Sequence, residues 1–317
     1  MGRSQSGKGN IMSTGKADLY TRITSRIVAE LEQGVRPWFK PWNAEHAAGR
    51  ITRPLRHNGQ PYRGINVLML WGEAMTQGFT CPIWMTYKQA SELGGQVRKG
   101  EHGSLVVYAN RLIRTETGAN GEEVDREIPF LKGYTVFNCE QIDGLPEQFM
   151  ATPAPVFDPV QRIAHAETFF GNTGVTIRHG GNQAYYAIER DYIQMPPFES
   201  FHDAESFYTT LAHETIHATR HPSRLNREFG RKRWGDEGYA AEELVAELGS
   251  AFLSADLGLT PEPRPDHASY ISNWLTVLKN DQRAIFTAAA HAERACGFLH
   301  GLQPQASVWT DGELEAA

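Results

Sequence analysis

The segment His213-Glu214-Thr215-Ile216-His217 decides how the C-terminal half of this chain folds and what it can bind. In a helix, residues four apart share one face, so both imidazoles point the same way, one turn apart. Two nitrogens placed like this can bind one Zn²⁺ at ~2.0–2.1 Å each, and Glu214 can act as a general base toward a water molecule. Asp203 is a candidate N-cap for this helix. The pattern predicts a metal centre with one Zn²⁺ per chain, with Mn²⁺ or another divalent ion as the alternative.

The third protein ligand has candidates on both sides of a predicted loop. His221 continues the spacing of four, but eight residues of straight helix rise ~12 Å, too far for an ion shared with His213 unless Pro222 bends the chain. The better candidate lies on the next predicted helix, where Glu243 and Glu247 share a face. One can bind the metal while the other orients a ligand histidine. Taken alone, these glutamates could equally form a solvated acidic face.

HExxH on one helix followed by a glutamate on the next resembles the gluzincin metallopeptidases. Variants of that superfamily put the metal ligand first, which implies Glu243 as the third ligand and Glu247 as its supporting carboxylate. The resemblance also implies a sheet edge that holds the substrate backbone, and Tyr185 to Ile188 is the candidate strand. Tyr186 or Tyr192 could assist an oxyanion, or could simply be core or rim residues.

Composition limits the class of protein. With 317 residues, 40% hydrophobic and 21% charged, the chain is long enough for two globular domains and is not disordered. No run reaches ~18 apolar residues, so we expect no membrane span. The three cysteines, Cys81, Cys139 and Cys296, are far apart, so the sequence indicates neither a disulfide framework nor a cysteine zinc site. A reducing cytoplasm is the expected location.

Charge is distributed unevenly along the chain. Residues 1–114 carry 16 Lys+Arg and 7 Asp+Glu, a net charge of +9. The other 203 residues carry 15 Lys+Arg and 30 Asp+Glu, a net charge of −15. This asymmetry favours a polyanion as partner of the N-terminal half, although a solvated basic face would give the same count.

The segment from Arg36 to Arg63 is rich in basic and aromatic residues. It makes single-stranded nucleic acid the favoured polyanion, with duplex DNA as a second possibility. Cations pair with phosphates, and exposed rings stack on unpaired bases. No pattern typical of a major-groove reader is present. The alternative is that the tryptophans anchor a core. A later cluster around Arg224, Arg227 and 231–233 is interpreted as a solvated loop. The predicted nucleic-acid-binding residues are Arg36, Trp38, Lys40, Trp42, Arg53, Arg56, Arg63, Arg98 and Lys99.

The predicted fold class is α+β, in two domains. We predict a disordered tail over 1–16, a single-strand-binding domain over 17–145, a proline-rich linker over 146–159 and a metallopeptidase-like domain over 160–317. Strand-like runs at 105–113 and 130–137 predict a hairpin with a long loop, and Thr86 with Gln89 predicts a capping box. Helices are predicted at about 18–32, 66–75, 160–170, 204–220, 239–257 and 269–295, and short strands at 175–177 and 185–188.

Together the two halves resemble the ArdC antirestriction family of conjugative plasmids, which is related in its N-terminal half to TraC primases. Residues that carry the resemblance are Pro37-Trp38 and Pro41-Trp42, Tyr62 to Asn66, Trp84 to Ala90, Val97 to Glu101, Val136 to Asn138, His213 to His217, His221 to Leu225 and Tyr239 to Glu247. The resemblance implies that the first domain binds single-stranded DNA and that the protein protects DNA entering a recipient cell.

Three functional hypotheses remain open at this level. In the first, binding alone shields the DNA strand, and peptidase activity is dispensable. In the second, the protein is a DNA-dependent zinc protease that cleaves a restriction enzyme or another DNA-bound protein. In the third, the metal is purely structural, and Glu214 argues against this because a structural site needs no general base.

Overall fold

The computed structural model describes residues 18–38, 52–117, 123–149, 159–230, 237–259 and 267–304. The predicted tail over 1–16 lies outside these ranges, as do residues 150–158 of the predicted linker. The N-terminal half contains α1 Leu19–Glu32, β1 Leu55–Arg56, α2 Ile65–Gln77, β2 Ile83–Met85, α3 Tyr87–Glu92, β3 Gln96–Val97, β4 Ser104–Thr117, β5 Glu123–Asn138 and β6 Ile142–Asp143. The C-terminal half contains α4 Pro159–Gly171, β7 Thr176–His179, β8 Tyr185–Ala187, β9 Tyr192–Met195, α5 Ala204–Ala218, α6 Glu237–Leu257, α7 His267–Asn280 and α8 Ala284–Gly301.

Side-chain caps start several helices, two of them, at Asp203 and at Thr86, where the sequence predicts them. The Asp18 carboxylate accepts from the Thr21 N–H at 2.8 Å, and the Asp203 carboxylate accepts from the Ser206 N–H at 2.7 Å. The Thr86–Gln89 capping box is present in both directions. Each cap satisfies backbone donors that the first helical turn leaves unpaired. The helix carrying HExxH therefore begins at a defined residue.

The long hairpin dominates the N-terminal half. Strands β4 and β5 pair antiparallel in continuous register from Ser104↔Val136 to Thr117↔Glu123, which confirms the predicted hairpin. The predicted long loop is wrong, because the pairing continues well beyond the predicted strand ends at 113 and 130. The sheet order is β1-β2-β5-β4, with β1 parallel and β5 antiparallel to β2.

The pairing of β2 with β5 also brings two cysteines together. Trp84 lies opposite Asn138, so the residues flanking these strands, Cys81 and Cys139, meet with Cα atoms 6.8 Å apart and form a disulfide. The expectation of no disulfide was wrong, because 58 residues separate the pair and only the strand register shows that they meet.

The C-terminal half has a small sheet in the order β7-β9-β8. Strand β8, predicted as the edge strand, is at the sheet edge and pairs antiparallel with β9. Strand β9 is buried and was not predicted. The helix predicted over 269–295 is two helices, α7 and α8. The helix is interrupted at residues 281–283, where the Asp281 carboxylate accepts a hydrogen bond from the Arg283 N–H at 2.8 Å.

The two halves share one hydrophobic core. The rings of Trp38 and Trp274 pack edge to face, with centroids 5.9 Å apart, and both are buried. The Thr24 hydroxyl donates to the Gln282 carbonyl at 2.6 Å, which joins α1 to the turn between α7 and α8. Helix α6, which carries Glu243, is also packed against the N-terminal half, because the ring centroids of Trp71 and Phe252 lie 6.0 Å apart.

Candidate metal centre

Helix α5 places His213 and His217 one turn apart on its buried face. Their Nε2 atoms lie 3.1 Å from each other, and both side chains are largely shielded from solvent. As the spacing of four residues predicts, two imidazole nitrogens converge on one point. Glu214 follows His213 on the same helix and is 4% exposed.

Glu243 on α6 completes the cluster. Its Oε2 lies 3.5 Å from His213 Nε2 and its Oε1 lies 3.5 Å from His217 Nε2. Three such ligand atoms within 4.8 Å of one another could hold a metal ion. Ligands at ~2.0–2.1 Å in tetrahedral directions would lie about 3.3 Å apart, close to the distances found. The donor set therefore fits a divalent ion with two imidazoles and one carboxylate.

Helices α5 and α6 approach closely at a glycine. A Cβ atom added to Gly249 would lie 2.9 Å from the side chain of Ile216 on α5, closer than real Cβ contacts allow. Ile216 immediately precedes His217, so the spacing at Gly249 sets how far Glu243 stands from the histidines. The glycine is required here by packing and not by backbone conformation.

A second carboxylate, Glu242, orients His217. The His217 Nδ1–H donates to Glu242 Oε1 at 3.1 Å, which directs Nε2 toward the cluster. Arg227 donates to the same carboxylate from Nε at 2.8 Å and from Nη2 at 2.7 Å. Burial alone would raise the pKa of Glu242, but these hydrogen bonds, led by Arg227, lower it to about 2. Glu242 therefore stays ionised, and the Arg227 guanidinium balances its charge.

Neither Glu242 nor Arg227 was predicted to take part in this site. Arg227 was interpreted as part of a solvated loop, yet it is 4% exposed and its Nη1 donates to Thr219 Oγ1 at 3.0 Å. Arg224 is also engaged, donating to the Ala218 carbonyl and to Asp191. The loop is held in place because Arg224 and Arg227 donate hydrogen bonds to acceptors on α5, on α6 and in the turn before β9. The rest of that basic cluster, residues 231–233, lies outside the described ranges.

Glu247 stands on the other side of the cluster. Its Oε2 lies 4.0 Å from His213 Nδ1, close enough for an ion-pair contact but longer than a hydrogen bond. Arg36 Nη1 and Trp38 Nε1 both donate to its Oε1, each at 3.3 Å. The predicted supporting carboxylate is thus held next to His213 by two residues of the N-terminal half.

These contacts correct part of the predicted nucleic-acid site. Trp38 is 1% exposed, so its ring offers no face to a base. Arg53 is buried as well, binding Asp256 through Nε at 2.6 Å and Glu293 through Nη1 at 2.8 Å. The Arg36 side chain is 11% exposed and faces Glu247. All three side chains bind acidic groups of the C-terminal half, so they are not available to bind DNA.

The other predicted nucleic-acid residues differ in their surroundings. Arg56, Arg63 and Lys99 are exposed, and Arg98 is exposed but paired with Glu101 at 2.7 Å. Lys40 and Trp42 lie outside the described residues. Four of the predicted cations therefore remain at the surface of the N-terminal half.

The remaining metal-site alternatives lie apart from the cluster. His221 is not among the three converging residues, and its Nδ1 lies 2.7 Å from Ser223 Oγ. The Tyr186 hydroxyl donates to Asp191 at 2.7 Å, and Tyr192 is buried in its sheet. Burial is the main cause that raises the pKa of Tyr186 to about 12. These contacts give both tyrosines structural partners.

An HExxH helix, a glutamate from the next helix and a small sheet with an antiparallel edge strand together define a zincin-like metallopeptidase domain. Here that domain packs against an N-terminal α+β domain. Comparison of the sequence with protein families agrees: residues 164–291 match the zincin-like metallopeptidases, and residues 17–137 match the N-terminal domain of the anti-restriction factor ArdC.

Individual relatives extend the match over both halves. The chain is 46% identical to antirestriction protein ArdC from the R388 plasmid, whose metal-free crystal structure superposes with a TM-score of 0.76 over 90% of this chain and 97% of that one. The Mn(II)-bound structure of the same protein gives 45% identity and a TM-score of 0.73, over 90% and 98% of the two chains.

Two curated proteins are also similar. An uncharacterised protein of Sinorhizobium fredii (strain NBRC 101917 / NGR234), y4eC, is 44% identical over 91% of this chain and 94% of its own. DNA primase TraC of Escherichia coli is 38% identical over 91% of this chain, which spans only 27% of that longer protein. The chain belongs to the ArdC antirestriction family. Within the described residues, no helix is both long and apolar enough to cross a membrane.

Proposed function

We propose that this protein binds single-stranded DNA and protects incoming plasmid DNA from restriction endonucleases, and that its second domain holds a divalent metal ion at His213, His217 and Glu243. The observation that carries the proposal is that one chain joins this converging cluster to an ArdC-type N-terminal domain. Zn²⁺ fits the nitrogen and oxygen donor set, and Mn²⁺ is the alternative, since a relative was crystallised with Mn(II).

The residues around the cluster are suited to peptide hydrolysis. A bound divalent ion would act as a Lewis acid toward a carbonyl and lower the pKa of water. Glu214 would take up a proton from the attacking water and release it to the leaving amine. Glu242 keeps His217 oriented, and the open edge of β8 can pair with an extended substrate segment through backbone hydrogen bonds.

Binding without hydrolysis is the favoured mode of protection. A strand coated by protein is inaccessible to a nuclease, and this needs no turnover. The second candidate is a DNA-dependent protease that cleaves a restriction enzyme or another DNA-bound protein. It is kept because Glu214, the residue that only hydrolysis requires, is intact on the helix that carries both histidines.

Glu214→Gln separates the two candidates, because the amide cannot accept a proton but preserves size and leaves the three ligands in place. We expect this variant to retain metal and single-strand binding, to lose any peptide hydrolysis, and to protect DNA as well as the unsubstituted chain does. Protection is measured as transfer efficiency of unmodified plasmid DNA into a restriction-proficient host, relative to a restriction-deficient host.

Two results would count against the favoured mode. If Glu214→Gln loses protection while keeping metal and DNA binding, the protease candidate is correct. If the unsubstituted chain gives no protection in the restriction-proficient host, the antirestriction function itself fails.

A further inference from the structure

One face of the β4–β5 hairpin carries two exposed tyrosines above a groove. Tyr108 pairs across the strands with Lys132, and Tyr134 pairs with Val106, so all four side chains stand on the same face. The Tyr108 and Tyr134 rings are 48% and 39% exposed, with centroids 6.5 Å apart. Here we call the cavity between this face, Arg56 and Gln89 the tyrosine groove; its volume is about 310 Å³.

Two cations lie near aromatic rings at the groove: Lys132 beside the exposed Tyr134, and Arg56 beside the buried Tyr62. The Lys132 ammonium lies 5.1 Å from the centre of the Tyr134 ring, and the Arg56 guanidinium lies 5.4 Å from the centre of the Tyr62 ring. Both cations are exposed, and the described residues that line the groove include no Asp or Glu. The groove therefore combines accessible aromatic faces with positive charge, which suits an anionic ligand that carries flat rings.

One polar group of the groove, the Asn66 amide, is already occupied. Asn66 donates from Nδ2 to the Val107 carbonyl at 2.8 Å and accepts from the Val107 N–H at 2.7 Å. An amide used on both sides has little capacity left to read the edge of a base. A ligand would therefore be held by ring stacking and by charge, both of which tolerate any base.

We propose that the tyrosine groove is the site where unpaired bases of single-stranded DNA bind, stacked on Tyr108 and Tyr134 with neighbouring phosphates at Arg56 and Lys132. The proposal rests on the proposed single-strand binding and gives it a location that differs from the buried Trp38. Bases in a duplex are stacked on each other and cannot enter, so the groove discriminates against duplex DNA. It also predicts little dependence on base sequence.

The test is fluorescence anisotropy of the full-length protein with a labelled single-stranded oligonucleotide of mixed sequence. Tyr108→Leu and Tyr134→Leu keep apolar bulk on the strands but cannot stack, and each should weaken binding about 10-fold. Tyr108→Phe and Tyr134→Phe keep the ring and should bind within about 2-fold of the unsubstituted chain, which shows that the fold tolerates substitution. Phe198→Leu removes an exposed ring far along the chain, outside the groove, and should have no effect.

The outcomes separate this proposal from the one on which it depends. If the unsubstituted chain binds single strands and the double variant Tyr108→Leu/Tyr134→Leu binds them equally well, the groove is not the site, and single-strand binding stands. If the Phe variants lose binding as the Leu variants do, stacking is not the interaction. If the unsubstituted chain does not bind single strands, both proposals fail.

Discussion

At the scale of single residues, Trp38 links the N-terminal half to the candidate metal centre. Its indole N–H donates to Glu247, whose other oxygen faces His213. Hydrogen bonds to groups behind a metal ligand hold that ligand in position, and their loss commonly weakens metal affinity. We therefore expect Trp38, which was predicted to stack on DNA, to help hold Glu247 and His213 in position.

Trp38→Phe tests this role, because it keeps an aromatic ring and removes the N–H. We expect about 10-fold weaker metal affinity, measured by competition with a chromophoric chelator. Trp274→Phe is the matched control: the two rings are in contact, each residue is 1% exposed, and the buried Trp274 N–H has no hydrogen-bond partner among the described residues. Equal metal affinity in the two variants would show that only packing matters at this position.

Two of the three clustered residues could be placed from local spacing, whereas Glu243 was assigned through the resemblance to the gluzincins. His213 and His217 could be placed on one face because helix geometry relates residues four apart. Glu242 and Arg227 were missed because their partners lie 25 and 15 residues away. One signal was available: three glutamates, at 242, 243 and 247, interrupt an apolar helix, and a buried helix tolerates such charges only when each meets a partner.

At the scale of elements, the distance between α5 and α6 depends on Gly249. A methyl group there would push against Ile216 and move Glu243 away from the histidines. Overpacking of this kind typically costs ~1–3 kcal/mol. The ligand geometry of the cluster is thus set by packing about two turns further along α6.

We expect Gly249→Ala to lower both the free energy of unfolding and the metal affinity. Denaturant unfolding and chelator competition measure the two quantities. Gly297→Ala is the matched control, since this glycine lies on the exposed side of α8 with open space around it, and alanine should stabilise it by ~0.5–1 kcal/mol. Metal affinity unchanged in Gly249→Ala would contradict the role assigned to helix spacing.

Elements with caps or long periodic patterns were predicted closely, and short or interrupted ones were not. The α1 and α5 starts follow from Asp18 and Asp203. Strand β9 was missed because four residues are too few to show a period. The break between α7 and α8 was missed because apolar residues continue on both sides of it, and a turn of three residues hardly disturbs a helical pattern.

At the scale of the whole molecule, the opposite charges of the two halves are partly satisfied by each other. Arg53 binds Asp256 and Glu293, Arg36 binds Glu247, and in the other direction Lys279 lies 2.6 Å from Glu32. The net charges of +9 and −15 therefore reflect in part an internal interface. Composition could not distinguish an internal interface from affinity for a polyanion, because it does not show which cations are buried.

The candidate metal ion would join α5 to α6, two helices that contribute to the shared core. Binding only to the folded state would stabilise that state by mass action, by ~2.7 kcal/mol when the free ion is 100-fold above its dissociation constant. An ion at this position therefore matters to the stability of the chain as well as to any reaction at Glu214.

Elemental analysis of the purified full-length chain, loaded with Zn²⁺ or Mn²⁺ and then desalted, tests this centre most directly. We predict one divalent ion per chain in the unsubstituted protein, almost none in His217→Ala or Glu243→Ala, and a retained but more weakly bound ion in Glu247→Ala. His221→Ala is the control and should keep its ion. A Glu243→Ala variant that retains full metal, while Glu247→Ala or His221→Ala loses it, would contradict the ligand assignment. An unsubstituted chain that binds neither ion would contradict the metal centre itself.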